Sequence, residues 1–265
     1  MMLVDIEGVT GITTFPQAEH GQIGIDMMMH DINAVLEGIL SVPGNEVLIY
    51  EQHTDGCNIV LDDLPEGVHV VRGKPVINKD WKGIDPSYDG LIMLGFHAKK
   101  GVPEALLAHS YGPQNGDIRI NGLSVGEIGV ECGVAGDFDV PLVLLTGDSA
   151  GCVEALKLVP GAMTVSVKQS LDDSCALCYN PKDTRRMLRD AGKALAIGLP
   201  AAQPLKFGGR IRLEIDLLDG LFLNTLKALE PGLFTAERTS AFDGATVTEA
   251  WQQYLRVERR VNRAL

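Results

Sequence analysis

Short apolar segments alternate with helix-like segments through the first 160 residues, and this alternation restricts the possible folds more than any other feature of the sequence. Gly, Pro or Asp bounds each apolar segment, as is typical of buried strands. Strands that alternate with helices predict an α/β fold, in which helices flank a mostly parallel open sheet on both faces. The predicted strands cover residues 3–6, 46–50, 90–94 and 141–146, and the predicted helices cover residues 26–40, 124–135 and 149–158.

The pattern changes after Gly161, where strands and helices no longer alternate regularly. The second part of the chain predicts strands at 164–168 and 210–217, helices at 181–198 and 245–262, and a linker at 200–209. We therefore expect two parts, namely an α/β domain over residues 1–160 and a smaller α+β region over residues 161–265.

Composition argues against several classes of protein. The formal net charge of −12 disfavours a nucleic-acid partner, and the arginines within residues 256–263 are expected on the exposed face of the last helix. The sequence predicts neither a transmembrane helix nor a signal peptide, so no membrane partner is expected. Five cysteines, an odd number, fit a reducing cytoplasm, and the CxxC of Cys175 and Cys178 is interpreted as incidental.

Candidate metal ligands follow three of the predicted strands. Asp5 and Glu7 end the first strand, His53 follows the second, and His97 follows the third. Because ligands in open parallel sheets bind at the carboxyl ends of the strands, these side chains are expected to meet at one edge. Two carboxylates on the same side of a strand repel each other unless a cation lies between them. Imidazole and carboxylate together predict Zn²⁺, Mn²⁺ or a similar ion.

Two further residues have less certain roles. Glu127 is either a fifth ligand or, three residues after Ser124, part of a capping box, and Glu131 on the same helix face is its rival. His109, in a Gly/Pro-rich loop, is a candidate proton donor or oxyanion stabiliser. The other histidines are interpreted as structural or surface residues, and these are His20, His30 and His69.

A different class of site is suggested by the segment GDSAG at residues 147–151. It stands between a predicted strand and a predicted helix, as in the nucleophile elbow of a serine esterase or amidase, with Ser149 as nucleophile. Chain order argues against this interpretation, because no histidine follows His109, and Ser149 is more simply a helix N-cap. A non-catalytic protein with a metal-stabilised fold is the third alternative.

Several segments occur together in one known family. They are DIEGVTG at the start, EQH, LGFHA, the AHS loop, NGLSVGE followed by DVP, and SVKQS. In this order and spacing the sequence resembles the DppA-type D-aminopeptidase family of binuclear zinc metallopeptidases over residues 3–170. The resemblance implies two zinc ions bridged by Asp5, with Glu7 and His53 on one ion and His97 and Glu127 on the other.

The implied function is that of a metal-dependent aminopeptidase or amide hydrolase. Two metals would activate a bridging water for attack on the N-terminal amide bond of a short peptide or amino-acid amide. His109 would be the catalytic histidine, outside the metal ligands. Lys168 is a weaker candidate for binding a substrate carboxylate or carbonyl, the alternative being a surface lysine at a strand end.

The resemblance also implies an assembly. Members of the family form ring-shaped homo-oligomers, so the first domain would carry the catalytic residues and residues 161–265 would contribute to the substrate site and to oligomerisation. One departure is that this chain has Glu51-Gln52-His53 where the family often has Asp-Ser-His. This departure changes the groups around a metal-bound histidine and concerns substrate preference more than metal binding.

Overall fold

The computed structural model of the chain describes residues 1–19, 21–74 and 84–265. Its strands are β1 (Met2–Val4), β2 (Leu48–Glu51), β3 (His69–Val71), β4 (Leu91–Phe96), β5 (Asn115–Ile120), β6 (Leu123–Val125), β7 (Leu142–Asp148), β8 (Met163–Asp172), β9 (Cys175–Cys178), β10 (Ile211–Leu217) and β11 (Thr239–Gly244). Its α-helices are α1 (Phe15–Glu19), α2 (Gln22–Ile39), α3 (Glu127–Asp137), α4 (Ser149–Leu158), α5 (Pro181–Ile197), α6 (Leu221–Leu229) and α7 (Val247–Ala264).

Within the described residues, seven strands form one sheet in the order β3-β2-β1-β4-β7-β8-β9. Every neighbouring pair is parallel except the hairpin of β8 and β9. The predicted α/β fold with a mostly parallel sheet is therefore confirmed. The central strands β1, β4 and β7 are buried along their whole length, which explains why their sequences are continuously apolar.

Helices cover both faces of this sheet. On one face, Met2 and Val4 of β1 share a core with Ile32 of α2 and Leu188 of α5. On the other face, Leu3 packs in a separate core with residues of α3 and α4. Because successive side chains of a strand point to opposite faces, the three residues of β1 contribute to both cores.

A second sheet contains four antiparallel strands of the described chain in the order β11-β10-β5-β6. Helix α7 packs against it and buries Trp251, Tyr254 and Val257, while Arg256 and Arg260 stay exposed on the opposite side. The predicted amphipathic closing helix is thus confirmed. Across the described ranges, no helix combines the length and apolar character needed to cross a bilayer.

The two sheets do not separate at residue 160. Strands β8 and β9 and helix α5 belong to the parallel sheet layer, although they lie after that residue. Strands β5 and β6 lie before it but belong to the antiparallel sheet. The division of the chain into two domains at residue 160 stays a prediction. Each of the two sheets contains strands from both sides of that residue.

Candidate active site

The carboxyl ends of three neighbouring strands bring acidic and histidine side chains together. Asp5 and Glu7 follow β1, His53 follows β2, and His97 follows β4. These strands are adjacent and parallel in the order β2-β1-β4, so their ends meet at one edge of the sheet. All four side chains are buried, since none of these residues exposes more than 5% of its surface.

Asp5 lies at the centre of this cluster. Its Oδ1 atom is 3.1 Å from His53 Nδ1, and its Oδ2 atom is 3.6 Å from His97 Nε2. Glu7 Oε2 lies 3.2 Å from His53 Nδ1, and Glu127 Oε1 lies 3.7 Å from His97 Nε2. The structure therefore brings all five candidate ligands together, with Asp5 between the two histidines.

The cluster has the donor set and the spacing of a metal site. Candidate ligand atoms of Asp5, Glu7 and His97 lie within 4.8 Å of one another, and so do those of His97, His109 and Glu127. The Nε2 atoms of His53 and His97 are shielded from solvent and have no hydrogen-bond partner among the described residues. Because buried polar atoms are normally paired, these orphaned nitrogens fit coordination of a divalent transition metal.

Burial and mutual charge shift the pKa values of these groups in the metal-free chain. Burial together with the charge of Asp5 raises the pKa of Glu127 to about 7 and also raises the pKa of Glu7. Burial alone lowers the pKa of His53, but its hydrogen bonds with Asp5 and Glu7 outweigh this and raise that pKa to about 10. Despite burial, His53 and His97 hold the pKa of Asp5 well below its usual range. Without a metal ion, bound protons therefore offset the repulsion among these carboxylates.

Glu127 is the first residue of α3 and points into the cluster. The alternative of a capping box with Ser124 is wrong, because Ser124 lies in β6 and pairs with Arg119, while Gly126 is the N-cap. The sequence pattern suggested a cap, but Ser124 belongs to the hairpin of β5 and β6 and cannot also begin the helix. The backbone N–H of Tyr111 donates to Glu127 Oε1 at 2.7 Å and fixes the orientation of the carboxylate.

His109 lies beside the cluster and is more accessible than its other members, with 25% of its side chain exposed. Its ring stacks on His97 with centroids 4.1 Å apart, and the ring of Phe15 packs against it edge-on at 5.5 Å. Nδ1 is 2.8 Å from the carbonyl oxygen of Leu107, so Nδ1–H donates to that oxygen. Nε2 then faces Glu127 Oε1 at 3.7 Å, toward the cluster.

The cluster opens into a cavity of about 870 Å³. Residues after β1 and β2 line one side, and Trp251 of α7 lines another. Tyr111 connects the two sides, since its ring packs on Trp251 with centroids 4.6 Å apart. A small peptide or amide fits a cavity of this size. The polar groups of the cavity wall include the carboxylates of the cluster and His53.

Residues 1–255 match a protein family described as D-aminopeptidase. The chain belongs to the D-aminopeptidase family. The D-aminopeptidase of Bacillus subtilis (strain 168) is 27% identical over 266 residues, which cover 96% of this chain and 94% of the relative. A solved structure described as the Zn-dependent D-aminopeptidase DppA from Bacillus subtilis, a self-compartmentalizing protease, superposes with a TM-score of 0.86 at 25% identity and covers 99% of this chain and 98% of that one.

These similarities extend beyond the segments that carried the resemblance. The match includes β10, β11 and α7, which lie after the motifs over residues 3–170. The chain is accordingly a metallo-aminopeptidase, a hydrolase that acts on peptide or amide bonds. The serine-hydrolase and non-catalytic alternatives are not favoured by any of these relatives.

Lys168, on β8, lies inside the protein beneath this D-aminopeptidase site. It is fully buried, so the alternative of a surface lysine is wrong. Its Nζ atom donates to the backbone oxygens of Glu7 (2.6 Å), Val9 (2.8 Å) and Ile12. These bonds use its three donors, and in this arrangement Lys168 supports the loop that follows β1.

Ser149 occupies a structural position at the start of α4. The expected N-cap role is wrong by one residue, because Asp148 is the N-cap and accepts from the N–H groups of Ala150 and Gly151. Ser149 Oγ instead accepts a hydrogen bond from the backbone of Ser170 at 3.0 Å. Among the residues placed by the structure, no histidine hydrogen-bonds to Ser149, so the geometry of a nucleophile elbow lacks its base.

The candidate metal-binding groups of the described residues do not include His30, His69 or the two CxxC cysteines. His30 Nδ1 is 2.8 Å from Asp31, and His69 is exposed on β3, whereas His20 lies outside the described residues. Cys175 and Cys178 are free, exposed residues of the edge strand β9.

Sequence reasoning missed several residues that shape the cavity. Tyr111 contacts Glu127 through its backbone and Glu131 through its hydroxyl group. Its position two residues after His109 was the available signal. Trp251 had no local signal, since it reaches the cavity only because α7 packs on the second sheet. Glu51 accepts hydrogen bonds from the N–H groups of Asn58 and Ile59 and holds the loop that carries His53.

Proposed function

We propose that this D-aminopeptidase family member uses zinc to release N-terminal residues, including D-residues, from short peptides or amino-acid amides. The observation that carries the proposal is the convergence of Asp5, His53 and His97 at adjacent strand ends, with buried Nε2 atoms that have no hydrogen-bond partner among the described residues. The solved relative is described as Zn-dependent, which supports zinc as the metal.

Five residues would hold two zinc ions. Asp5 is placed between the two histidines and would contact both ions, with Glu7 and His53 on one side and His97 and Glu127 on the other. When bound, the metal lowers the pKa of a water molecule and polarises the scissile carbonyl. Burial of the five side chains excludes bulk solvent, which strengthens their electrostatic interaction with a bound substrate.

His109 would act on the proton. Its Nδ1–H is committed to the carbonyl oxygen of Leu107, so Nε2 is the ring atom available to a substrate. Although burial lowers the pKa of His109, the charges of Glu127 and Glu7 outweigh this and raise it above its ordinary value. In its protonated form, His109 would donate from Nε2 to the carbonyl oxygen or to the leaving amine.

The test combines metal analysis with hydrolysis of paired D- and L-alanyl p-nitroanilides. A chelator should abolish hydrolysis and added Zn²⁺ should restore it. His109→Ala should lower kcat by about 100-fold or more at unchanged zinc content, because it removes a proton donor and no ligand. His69→Ala, which removes an exposed histidine of β3, is the matched control and should leave both values unchanged.

Two outcomes would count against the proposal. Loss of zinc in His109→Ala would make this residue a ligand, and the absence of hydrolysis of both enantiomers by zinc-loaded protein would reject the proposed activity. Hydrolysis of the L-substrate alone would reject only the release of D-residues.

We also propose a homo-oligomer and a cytoplasmic location. The solved relative is described as self-compartmentalizing, which supports a closed ring of subunits around the active sites. Residues 161–265 would contribute to the substrate site through Trp251, which lines the cavity. All five cysteines are free, as expected in a reducing compartment. Light scattering should give a mass that is a multiple of 28.5 kDa, and a monomer would contradict the ring.

A further inference from the structure

One carboxylate in the active-site cavity is not needed for the metal cluster. Glu131 lies one helical turn after Glu127 on α3, and residues four apart project from the same face of a helix. The hydroxyl group of Tyr111 donates to Glu131 Oε1 at 2.9 Å, and the side chain of Gln52 forms a second hydrogen bond with the carboxylate. Two neutral donors therefore orient this side chain toward the cavity.

No lysine, arginine or histidine in the described ranges forms an ion pair with Glu131. The Lys74 ammonium donates to the backbone oxygen of Gln52, and its charge acts on Glu131 without a direct ion pair. An ionised carboxylate offers about four acceptor positions, so two donors leave part of its capacity unused. Glu131 is half-buried, and this partial burial raises its pKa. Carboxylates removed from solvent are usually paired with a cation. A cation that enters the cavity would complete the site.

The substrate of an aminopeptidase carries such a cation. Its free ammonium group is two bonds from the scissile carbonyl, so a residue that binds it must lie close to the metal cluster but outside it. Residues i and i+4 of a helix have Cβ atoms roughly 5–6 Å apart, which sets the separation of Glu127 and Glu131. Glu131 thus lies where an ammonium group would be when the carbonyl reaches the cluster.

We propose that Glu131 accepts the free ammonium group of the substrate's N-terminal residue and restricts the enzyme to peptides and amides with an unblocked amine. The proposal rests on the proposed function, since it assigns a substrate group to the same site. The amide of Gln52, together with Tyr111, orients the carboxylate. Glu131 is a specificity-determining residue in this account.

The test compares two substrates that differ only in the amine. These are alanyl p-nitroanilide, in the faster enantiomer, and propionyl p-nitroanilide, which has hydrogen in place of the ammonium group. Glu131→Gln keeps an acceptor for Tyr111 but removes the charge. Its kcat/KM for the alanyl substrate should fall about 10- to 100-fold while that for the propionyl substrate stays within about twofold, at unchanged zinc content.

Glu258→Gln is the matched control. Glu258 is another carboxylate in the wall of this cavity and also accepts hydrogen bonds from two neutral donors, Gln114 and Tyr254. It lies on α7, however, whereas Glu131 is one helical turn from Glu127. The ratio of the two kcat/KM values should therefore stay at its wild-type value in this variant. An equal loss on both substrates in Glu131→Gln, or an unchanged ratio, would overturn the proposal and leave Glu131 with a structural role.

A binding measurement separates this proposal from the proposed function. The probe is a ketomethylene isostere of alanylglycine, which cannot be hydrolysed because it lacks the amide nitrogen, in free-amine and N-acetylated forms. Calorimetry on zinc-loaded protein should show at least tenfold tighter binding of the free amine in the wild type and little difference in Glu131→Gln. Equal affinities in the wild type would overturn the proposal even if hydrolysis is observed, and a difference would support it even if hydrolysis is not.

Discussion

At the scale of single residues, the loop after β1 is held from below by a buried cation. The Nζ atom of Lys168 donates to the backbone oxygens of Glu7, Val9 and Ile12, so one ammonium group fixes three points of the segment that carries two candidate ligands. From the other side, Asp31 accepts bonds from the N–H and hydroxyl groups of Thr10. The positions of Asp5 and Glu7 thus depend on contacts far away in sequence.

Replacing Lys168 with Met should weaken both folding and metal binding. The side chain keeps its approximate length but loses all three donors, and each buried carbonyl left without a partner costs about 1–3 kcal/mol. We expect a loss of about 3–5 kcal/mol in the free energy of unfolding, measured by urea denaturation, and at least tenfold weaker zinc binding in the folded protein. Lys157→Met, at an exposed site on α4, is the control. Unchanged zinc affinity in Lys168→Met would show that the loop after β1 keeps its position without the three hydrogen bonds of Lys168.

At the scale of secondary-structure elements, β1 and β4 approach closely where the ligands begin. Gly95 has a φ of +77°, and a Cβ atom placed on it would lie 2.2 Å from the backbone oxygen of Asp5. Its carbonyl oxygen accepts a hydrogen bond of 2.7 Å from the N–H of Gly8. The absence of a side chain at residue 95 therefore allows the ends of the two strands to meet.

The variant Gly95→Ala should move Asp5 away from the cluster. Gly11→Ala is a matched control, since Gly11 has a φ of +76° but nothing within 4 Å of its added Cβ. A side chain at positive φ lowers the free energy of unfolding by about 1 kcal/mol in both variants. Only Gly95→Ala adds a steric clash, which lowers it by about 1–3 kcal/mol more. Thermal unfolding and zinc titration should both show the larger loss in Gly95→Ala. Equal effects in the two variants would mean that the strands separate without strain.

The same elements show how far the sequence could predict the fold and the site. Buried parallel strands are continuously apolar, so β4 and β7 were evident, and the candidate ligands follow such strands directly. The hairpin of β5 and β6 was missed because Asp117 and Arg119 interrupt its apolar pattern. Arg119 pairs with Asp216 of β10 almost a hundred residues later, and no local signal reports such a partner.

At the scale of the whole molecule, zinc binding should couple to pH and to stability. The pKa of Glu127 is raised to about 7 and that of His53 to about 10, so both bind protons more tightly in the folded metal-free chain than in the unfolded chain. Protonated His53 stabilises the fold fully below its pKa in the unfolded chain, near 6.5, and this stabilisation is lost as pH rises through about 10. Ionisation of Glu127 opposes folding above its pKa in the unfolded chain, about 4.5. The metal-free protein should therefore become less stable as pH rises from 5 toward 8.

Zinc should reverse this trend, because it binds the deprotonated forms of the same groups. Between pH 6 and pH 8 the zinc affinity should rise, since fewer protons have to be displaced from Glu127, and the increase in Tm caused by zinc should grow with it. Titration against a competing chelator at pH 6, 7 and 8, with calorimetry at each pH, measures both quantities. Glu127→Gln removes one titrating group, so its affinity should rise less steeply between pH 6 and pH 7. A zinc affinity independent of pH would mean that the cluster carries no protons to displace, and the electrostatic description of the site would then be wrong.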